Sequence, residues 1–535
     1  MITSIPCEGN RGMLKAVRIQ NFKCLRDTGE MDLRPLTLLI GTNSSGKSSV
    51  LQGLACLFYN FARPALRMNI PDSGLELGSF ADVVYNHDTS NPLSFSLTVS
   101  LQGDVRENRS LTLQYRGAKK EPGLAFLRSL KISSPKTPLL EVRFRESVKE
   151  PSSATLNGVV PSTEFVSSVS VLSKKIKARV MRKVLERYII HQRIYRSTRK
   201  KGFFAVMLPG VDPLNKIKKE IGQEAFQELT QAVRSRDYEV IEKYDEVWEL
   251  LPEEDRKSRV VSFLEWYVSA IREAIRLYYL GPLRMEPKRA ESVGGEVYTA
   301  VGFRGELTPQ FLVRRYSQVE RMINRWIRWL DVGARVVKPR WLIKKLGRFE
   351  VIVKDERHPD LGLRVSLKDV GFGIPQVLPV LLQGAVAEEN SVLLLEQPEI
   401  HLHPKSQAAM GEVLADMAGV LKPRTRPPSR RPPRKILLIE THSDLIVARI
   451  SRLIAEERLS PKDCIIHYFD PTDDGTVVRQ IYFDEEGAFF AKDDKGEEAL
   501  EKFLGEFLGS DYSEFMKTIE AVERARMRRR QQNDK

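Results

Sequence analysis

The chain contains no apolar run near the roughly 18 residues that a membrane-spanning helix needs. Residues 1–12 also lack the apolar segment of a secretory signal. There are only four cysteines in 535 residues, and no two of them form a C-x-x-C pair. These three absences favour a cytoplasmic protein with reduced thiols and no membrane partner.

A lasting heptad repeat is also missing, so the sequence does not predict a long coiled-coil arm. Acidic residues are in the minority: 70 Asp and Glu stand against 85 Lys and Arg, for a net charge of +15. The surplus is concentrated in residues 174–201, 422–435 and 524–530. It favours an anionic partner, with nucleic acid ahead of a membrane surface, and an inert basic surface is the alternative.

One loop, residues 41–49, matches the phosphate-binding pattern G-x-x-x-x-G-K-[ST]. It follows the apolar run 36–40 and precedes an apolar-faced helix, which is the context that the pattern requires. Lys47 is expected to contact the β- and γ-phosphates of ATP, and Ser48 to hold Mg²⁺. The residues predicted to bind the nucleotide in this loop are Asn43, Ser44, Ser45, Gly46, Lys47, Ser48 and Ser49.

Two later apolar runs each end in an acid, at Glu396 and at Glu440. The first run predicts a buried parallel strand with Glu396 at its C-terminal tip, the edge where open α/β sheets bind ligands. A carboxylate at that edge can join the Mg²⁺ shell, so Ser48 and Glu396 are the predicted metal residues. The second run leads into residues 441–444, Thr-His-Ser-Asp.

Five motifs together resemble one family of ATPases. They are GTNSSGKSS at 41–49, YLGPLR at 279–284, DVGFGIPQVLPVL at 369–381, LLLEQPEIHLHP at 393–404 and ETHSD at 440–444. They resemble the ABC-type ATPase heads of the RecF/OLD-like group. The closer likeness is to the stand-alone prokaryotic AAA_15/AAA_21 type, which has a C-terminal domain of unknown function and no TOPRIM domain. The resemblance implies an α/β fold: an ABC-type P-loop NTPase head, SMC-head-like, with a mixed sheet and a helical insertion.

The resemblance also assigns roles. It implies that Glu396 is the Walker B acid and that His442 is the switch histidine near the γ-phosphate. It places Gln397 where a catalytic glutamate is usual, and an amide is a poor proton acceptor. We therefore expect slow or partner-gated hydrolysis, with Glu399 as the alternative base. Gly371 and Gly373 occupy the signature position, which reaches the nucleotide of the opposite subunit, so a homodimer or higher homo-oligomer is expected.

The predicted organisation has four parts: an N-terminal ATPase lobe at 13–145, a mainly helical basic insertion at 146–277, a C-terminal lobe at 278–490 and a helical basic tail at 491–535. The insertion is expected to contain a long helix over 170–201. A strand is predicted at 80–85, and residues 422–435, rich in Pro, Arg and Lys, predict an exposed loop.

The sequence thus predicts an ATP-hydrolysing, dimerising switch that acts on DNA or on a partner effector, in DNA repair or anti-phage defence. The alternative is an ATP-sensing regulatory subunit without nucleic-acid contact. A built-in TOPRIM nuclease is rejected because the segment after His442 is too short, so a nuclease or other effector would be a separate chain. Two other residue sets could bind a metal ion. Glu399, His401 and His403 are more readily explained as interface residues. Asp470, Asp473 and Asp474 are more readily explained as part of a hairpin turn.

Overall fold

The computed structural model describes most of the chain. The described residues are 12–61, 65–70, 75–101, 108–118, 123–134, 138–144, 166–171, 173–200, 213–293, 300–371, 373–423, 432–507, 518–525 and 527–528. None of the helices in these ranges is apolar enough over a sufficient length to cross a membrane.

The first part of the chain is rich in strands. Its elements are β1 (Gly12–Phe22), β2 (Leu25–Asp27), β3 (Met31–Asp32), β4 (Leu36–Gly41), α1 (Lys47–Asn60), β5 (Ala65–Arg67), β6 (Asn69–Ile70), β7 (Leu75–Glu76), α2 (Phe80–Val83), β8 (Leu93–Leu101), β9 (Arg109–Gly117), β10 (Leu124–Ser133), β11 (Pro138–Phe144) and β12 (Val166–Val171).

The middle of the chain is helical. Its helices are α3 (Lys174–Lys200), α4 (Pro213–Ile221), α5 (Gln223–Ser235), α6 (Tyr238–Lys243), α7 (Val247–Leu250) and α8 (Glu253–Ala274). Helix α3 packs against α5, α6 and α8, and α8 contacts β1, β8 and β12. The helical insertion therefore lies on the strands of the first part and does not project from them as an arm.

The last part alternates strands and helices. Its elements are β13 (Leu277–Leu280), β14 (Glu291–Ser292), α9 (Thr308–Trp329), β15 (Ala334–Val336), β16 (Arg340–Ile343), β17 (Arg348–Glu350), β18 (Ile352–Asp355), β19 (Arg364–Ser366), α10 (Gly373–Val386), β20 (Val392–Glu396), α11 (Pro404–Met417), β21 (Ile436–Glu440), α12 (Asp444–Ala455), β22 (Cys464–Thr472), β23 (Gly475–Phe483), β24 (Phe489–Phe490) and α13 (Asp494–Lys502).

Two large sheets organise these elements. An antiparallel sheet has the order β12-β11-β10-β9-β8-β1-β2, with β3 on β1 and β5 on β10. A mixed sheet has the order β13-β20-β21-β4-β22-β23-β24, in which β13, β20, β21, β4 and β22 run parallel. Because β21 lies between β4 and β20, the C-terminal ends of these three strands meet at one edge.

Side chains of the parallel strands alternate between two cores, as a period of two requires. Along β20, Val392 and Leu394 join the core that contains α1 and the antiparallel sheet. Leu393 and Leu395 join the core formed by α9, α10, α11 and α12 on the other face. The buried helix α1 thus lies between the two sheets, which is the arrangement of an ABC-type P-loop head.

The buried parallel strand predicted to end at Glu396 is confirmed as β20, the apolar-faced helix predicted after the loop 41–49 is α1, and the turn predicted at Asp473 and Asp474 joins β22 to β23. The strand predicted at 80–85 is wrong. The Ser79 hydroxyl accepts the Asp82 N–H at 3.3 Å, and the Asp82 carboxylate accepts the Ser79 N–H at 2.7 Å. This capping box starts the short helix α2 in place of a strand.

Helix α3 is confirmed from residue 174, but its described inner face belongs to the core. Met181, Val184 and Leu185 are buried in the cluster that also contains the antiparallel sheet. Arg182 is buried as well and forms an ion pair with Glu186 at 2.9 Å. The predicted start of this helix at residue 170 is wrong, because residues 170 and 171 belong to strand β12, which pairs with β11 and so extends the antiparallel sheet.

The predicted loop 422–435 ends on a buried cation. Residues 424–431 lie outside the described part, but Lys435 is only 1% exposed. Its Nζ donates hydrogen bonds to the carbonyl oxygens of Gly384 at 2.6 Å and Met417 at 3.3 Å. Burial lowers the pKa of Lys435 to about 7, although the carboxylate of Asp416 opposes the shift. The expectation of exposure is therefore wrong at this residue.

We predict that the free energy of unfolding rises with pH because the pKa of Lys435 is lowered in the folded state. Between about pH 7 and the pKa of 10.5 expected in the unfolded chain, the unfolded state holds a proton that the folded state has released. Relative to Lys435→Met, the wild-type free energy of unfolding should increase by up to about 1.4 kcal/mol per pH unit above pH 7. Denaturant titrations from pH 6 to 9 measure this. Lys405→Met, at an exposed lysine, is the control, and parallel pH curves for wild type and Lys435→Met would contradict the prediction.

Candidate functional site

The phosphate loop follows β4 and needs glycine at two positions. The backbone φ is +151° at Gly41 and +100° at Gly46. A Cβ on Gly41 would lie 2.5 Å from the carbonyl oxygen of Phe469, and one on Gly46 would lie 2.8 Å from Cys24 Sγ. Both contacts are too close for any side chain. The loop therefore folds tightly and places its N–H groups at the N-terminus of α1, where the helix dipole favours an anion.

Lys47 lies at the centre of this loop and is 2% exposed. Its Nζ donates to the carbonyl oxygens of Gly41 at 3.0 Å and Thr42 at 2.6 Å, and to Ser45 Oγ at 3.4 Å. Burial lowers the pKa of Lys47, and the charge of Glu440 only partly offsets this. No ion pair of Lys47 is found within the described residues, and its Nζ is surrounded by main-chain carbonyls and a hydroxyl.

The other predicted loop residues surround Lys47. Asn43 and Ser44 are exposed at the mouth of the loop, Ser45 is buried beneath it, and Ser44 has a φ of +60°. Ser49 is buried in the first turn of α1, with its Oγ 3.9 Å from Cys24 Sγ. Residues 43–49, which the pattern assigns to the nucleotide, thus form one continuous segment that consists of the loop and the first turn of α1.

Two carboxylates stand side by side at the C-terminal edge of the sheet. Glu396 of β20 and Glu440 of β21 are register partners in adjacent parallel strands. Ser48 Oγ donates to Glu440 Oε1 at 2.9 Å, whereas Glu396 Oε1 accepts from the Tyr279 hydroxyl at 2.5 Å. Burial, reinforced by the neighbouring Glu440, raises the pKa of Glu396 to about 7. Burial also raises the pKa of Glu440, against the hydrogen bond from Ser48.

A third acid, Glu399, connects the two strand ends. It is buried, and its Oε1 accepts from Thr441 Oγ1 at 2.8 Å and from the His442 N–H at 3.1 Å. The side chain of His442 is exposed, and its pKa is lowered by partial desolvation and by the charge of Lys47. Through Oε1, Glu399 therefore fixes the backbone that presents His442, whereas its buried Oε2 has no hydrogen-bond partner within the described residues.

Gln397 has a fixed backbone and a half-buried side chain. Its φ is +43°, its N–H donates to the Glu440 carbonyl at 2.8 Å, and its own carbonyl accepts from Arg284 at 3.0 Å. These contacts hold the residue after Glu396 in one orientation at the sheet edge. These are main-chain contacts, and they place the amide side chain at the sheet edge, where an amide can orient a water molecule.

Arg284 is a buried cation at the end of the YLGPLR motif. The sequence analysis assigned it no role. Its guanidinium donates to the carbonyl oxygens of Pro282, Gln397 and Glu396, the last at 2.6 Å. Burial lowers its pKa to about 10, opposed by Glu399 and Glu396. Arg284 thus stabilises the turn after β20 from the side of β13.

The signature-like residues lie at the start of α10. Gly371 is exposed, and a Cβ added there would meet no atom within 4 Å. A Cβ on Gly373 would lie 3.3 Å from the carbonyl oxygen of His401. Neither glycine contacts the phosphate loop of its own chain at these distances. The structure brings Gly373 beside His401, so the signature-like and HLHP segments form one surface.

The structure therefore gathers Lys47, Ser48, Glu396, Glu399 and His442 around one sheet edge. Sequence reasoning missed Glu440, Tyr279 and Arg284. A signal for Glu440 was present, because both apolar runs end in Glu, but its use required knowing that β21 lies between β4 and β20.

The two alternative metal sets are not assembled. Among the described residues, no group of three or more His, Cys, Asp or Glu is arranged to hold a metal ion. His403 instead caps α11, with its Nδ1 accepting the Lys405 N–H at 3.3 Å. Asp473 and Asp474 form the two-residue turn between β22 and β23, as the hairpin prediction required, and Asp470 pairs with Lys502 at 2.8 Å.

The donor set beside the phosphate loop does fit magnesium. Mg²⁺ binds oxygen ligands, usually one or two carboxylates together with nucleotide phosphates. Ser48, Glu440 and Glu396 supply such oxygens at one edge. Glu440 Oε2 is buried and has no hydrogen-bond partner within the described part of the chain. An unpaired buried carboxylate oxygen next to the loop is what a cation would satisfy.

A P-loop, a neighbouring acid-tipped strand pair and a helix between two sheets define an ABC-type P-loop ATPase head. The family described as AAA ATPase domain (AAA_15) matches residues 13–101 and 314–447. The first segment contains the phosphate loop, and the second contains β20, β21 and His442. The match lies in two segments, which the helical insertion separates, and covers less than half of the chain.

Solved structures of SMC heads are distant neighbours. One is the Smc head domain of Pyrococcus furiosus, which has an extended coiled coil and is bound to the C-terminal domain of ScpA. Its sequence is 8% identical to this chain, and the TM-score is 0.38. The alignment covers 92% of this chain and 99% of that chain. The Smc head domain of Pyrococcus yayanosii, with a coiled coil and joint, is 12% identical at a TM-score of 0.37, with the same coverage. A comparison with curated proteins finds no match.

Proposed function

We propose that this chain is an ATP-binding, slowly hydrolysing switch that dimerises around its nucleotide. One observation carries the proposal. Lys47 is a buried cation whose partners are loop carbonyls and a hydroxyl, in a loop closed by Gly41 and Gly46. Such a cation is stabilised when phosphate oxygens replace the water that it has lost.

The proposed chemistry is hydrolysis of the terminal phosphate. Mg²⁺, held beside Ser48, would neutralise charge on the phosphates. Gln397 orients the attacking water but is a poor proton acceptor, and one of the two carboxylate oxygens of Glu399 is already engaged by Thr441 and His442. We therefore propose slow turnover, with His442 near the γ-phosphate. A partner that completes the site would accelerate it.

Lys47→Ala tests nucleotide binding. Removing the cation should weaken ATP binding about 100-fold or more, equivalent to roughly 2.7 kcal/mol, because the phosphates lose their central charge-assisted hydrogen bonds. Isothermal titration calorimetry measures the affinity. The control is Lys405→Ala, which breaks the ion pair with Asp331 at the surface. Unchanged ATP affinity in Lys47→Ala would remove the basis of the proposed function.

Dimerisation follows from the position of the signature-like segment. Gly371 is exposed and neither it nor Gly373 meets the phosphate loop of the same chain, so the two halves of a site are proposed to come from two subunits. The surface beside Gly371 also carries His401 and the N-terminus of α10, whose N–H groups can face a phosphate.

Gly371→Arg should block ATP-dependent association without disturbing the subunit, because no atom lies within 4 Å of a Cβ at this position. Gly373 is less suitable for this substitution, because a side chain there would press on the His401 carbonyl of the same subunit. Light scattering with ATP and Mg²⁺ should show a dimer for wild type and a monomer for Gly371→Arg. Gly123→Arg, at another open glycine, should dimerise like wild type. Equal dimerisation of both variants would contradict a composite site.

We further propose that nucleic acid, DNA in particular, is the regulated partner. The net charge of +15 supports this, and the described outer side of α3 exposes Lys183 and Arg187. By analogy of fold alone, the setting is DNA repair or anti-phage defence, with a separate nuclease or other effector chain. The competing function is a regulatory or scaffold subunit that contacts only protein.

Reversal of the exposed basic pair separates these two functions. Lys183→Glu with Arg187→Glu should weaken duplex binding roughly 10- to 100-fold at ~50 mM salt, because two phosphate contacts become repulsive. Fluorescence anisotropy with labelled duplex measures the effect. The control double variant is Lys344→Glu with Lys345→Glu, at exposed residues of the other lobe. No wild-type binding would favour the protein-only function, and an equal loss in both variants would contradict a specific role of α3 in binding DNA.

A further inference from the structure

We propose that residues 340–346, the β16 edge, dock an acidic, extended segment of a partner protein. Strand β16 lies at one end of the small sheet β14-β17-β16, so one of its sides has no neighbouring strand in the described part of the chain. The backbone N–H and C=O groups on that side can pair with an incoming strand. The proposal concerns protein binding and does not depend on the proposed nucleotide chemistry.

The first support is that the side chains of the β16 edge are apolar and exposed. Trp341 is 41% exposed, Leu342 is 44% exposed and Ile343 is 47% exposed, and Leu346 after the strand is 69% exposed. Single exposed apolar residues are normal on a protein surface, but a contiguous group of large ones marks an interaction site. Covering these side chains with a partner would remove apolar surface from water and so stabilise the complex.

The second support is that the strand behind the β16 edge already holds it in place. The ring centroids of Trp341 and Phe349 are 5.9 Å apart, with an angle of 65° between the ring planes. Phe349 lies on β17 and is fully buried in the core that contains α9 and α10. Arg340 forms an ion pair with the buried Glu350 at 2.6 Å. Because the β16 edge is ordered before binding, a partner strand does not have to order it.

The third support is the charge around the apolar side chains, which selects the kind of partner. Residues 338–348 contain no Asp or Glu. The exposed cations of this stretch are Lys338, Lys344, Lys345 and Arg348. None of the four forms an ion pair within the described residues. A partner strand that alternates apolar residues with acids would therefore match both the apolar surface and the positive charge.

The same features disfavour three other occupants. A second copy of this chain would bring one basic edge against another, and both the lysines and the register shift at Leu342 oppose such pairing. A membrane would cover the apolar side chains but would leave the outward N–H and C=O groups without partners. Nucleic acid would match the charge, but its phosphates gain nothing from Leu342, Ile343 and Leu346. An acidic protein segment satisfies the backbone, the apolar surface and the charge together.

A display library of peptides about ten residues long, the upper length of a common strand, tests the proposal. Apolar residues alternate with positions that vary among acidic, basic and neutral polar residues. Selection on the wild-type chain without nucleotide should enrich acidic peptides. By fluorescence anisotropy, an enriched peptide should bind Ile343→Asp roughly tenfold or more weakly than wild type, because the new acid repels it. The control is Ile190→Asp, at an isoleucine of α3 that is 51% exposed, and it should bind like wild type.

A second measurement tests strand pairing itself. The enriched peptide is N-methylated on one or on the other set of alternate residues, and only one of these two peptides should lose binding, because the N–H groups of a strand point alternately to its two sides.

Four outcomes would overturn the proposal: no enriched peptide, enrichment without an acidic preference, equal binding of the two methylated peptides, or equal losses in Ile343→Asp and Ile190→Asp. If circular dichroism shows that Ile343→Asp is unfolded, Lys344→Glu with Lys345→Glu replaces it and should also weaken binding of the acidic peptide. Binding to phosphatidylserine vesicles, or nucleotide-independent self-association, that the edge variant abolishes would assign the β16 edge to a membrane or to a second copy instead. None of these results depends on ATP, so they leave the proposed function untouched.

Discussion

The structure depends on the insertion of β21 between the strand of the phosphate loop and the strand that ends at Glu396. Parallel pairing fixes the height of each strand end, so Glu396 and Glu440 meet as register partners. Two buried acids at this spacing repel each other, and each is stabilised by a different donor, Tyr279 for one and Ser48 for the other. Each of the two acids at this edge therefore has its own hydrogen-bond donor, and neither shares the donor of the other.

The second constraint is the helix that the two sheets share. Helix α1 begins at Lys47 and buries Val50, Leu51, Leu54 and Leu57 in the core that joins the sheets. Because packed interiors do not deform smoothly, a shift at its N-terminus must be passed to both sheets. The contact of Gly46 with Cys24 connects the loop to the β1–β2 turn in the same way.

Sequence reasoning reached the fold through patterns that act locally. The apolar runs ending at Glu396 and Glu440 predict buried strands because their length and composition suffice. The capping box at Ser79 was equally local, yet a strand was predicted there because apolar residues dominate the stretch. The roles of Tyr279 and Arg284 had no local signature, since each acts on a strand more than a hundred residues later. Lys435 illustrates the same limit: a basic, proline-rich segment hides one lysine whose bonding partners lie in two distant helices.

The folding of the insertion onto its own sheet limits what two such chains can enclose. Helix α3 has 27 residues, which at 1.5 Å each gives about 40 Å, and its described inner face is packed against α5, α6 and α8. An arm of this length, lying flat, adds surface beside the head but no span beyond it. In the proposed dimer, the described part of the insertion would therefore add contact surface beside the two heads and would not enclose a large ring.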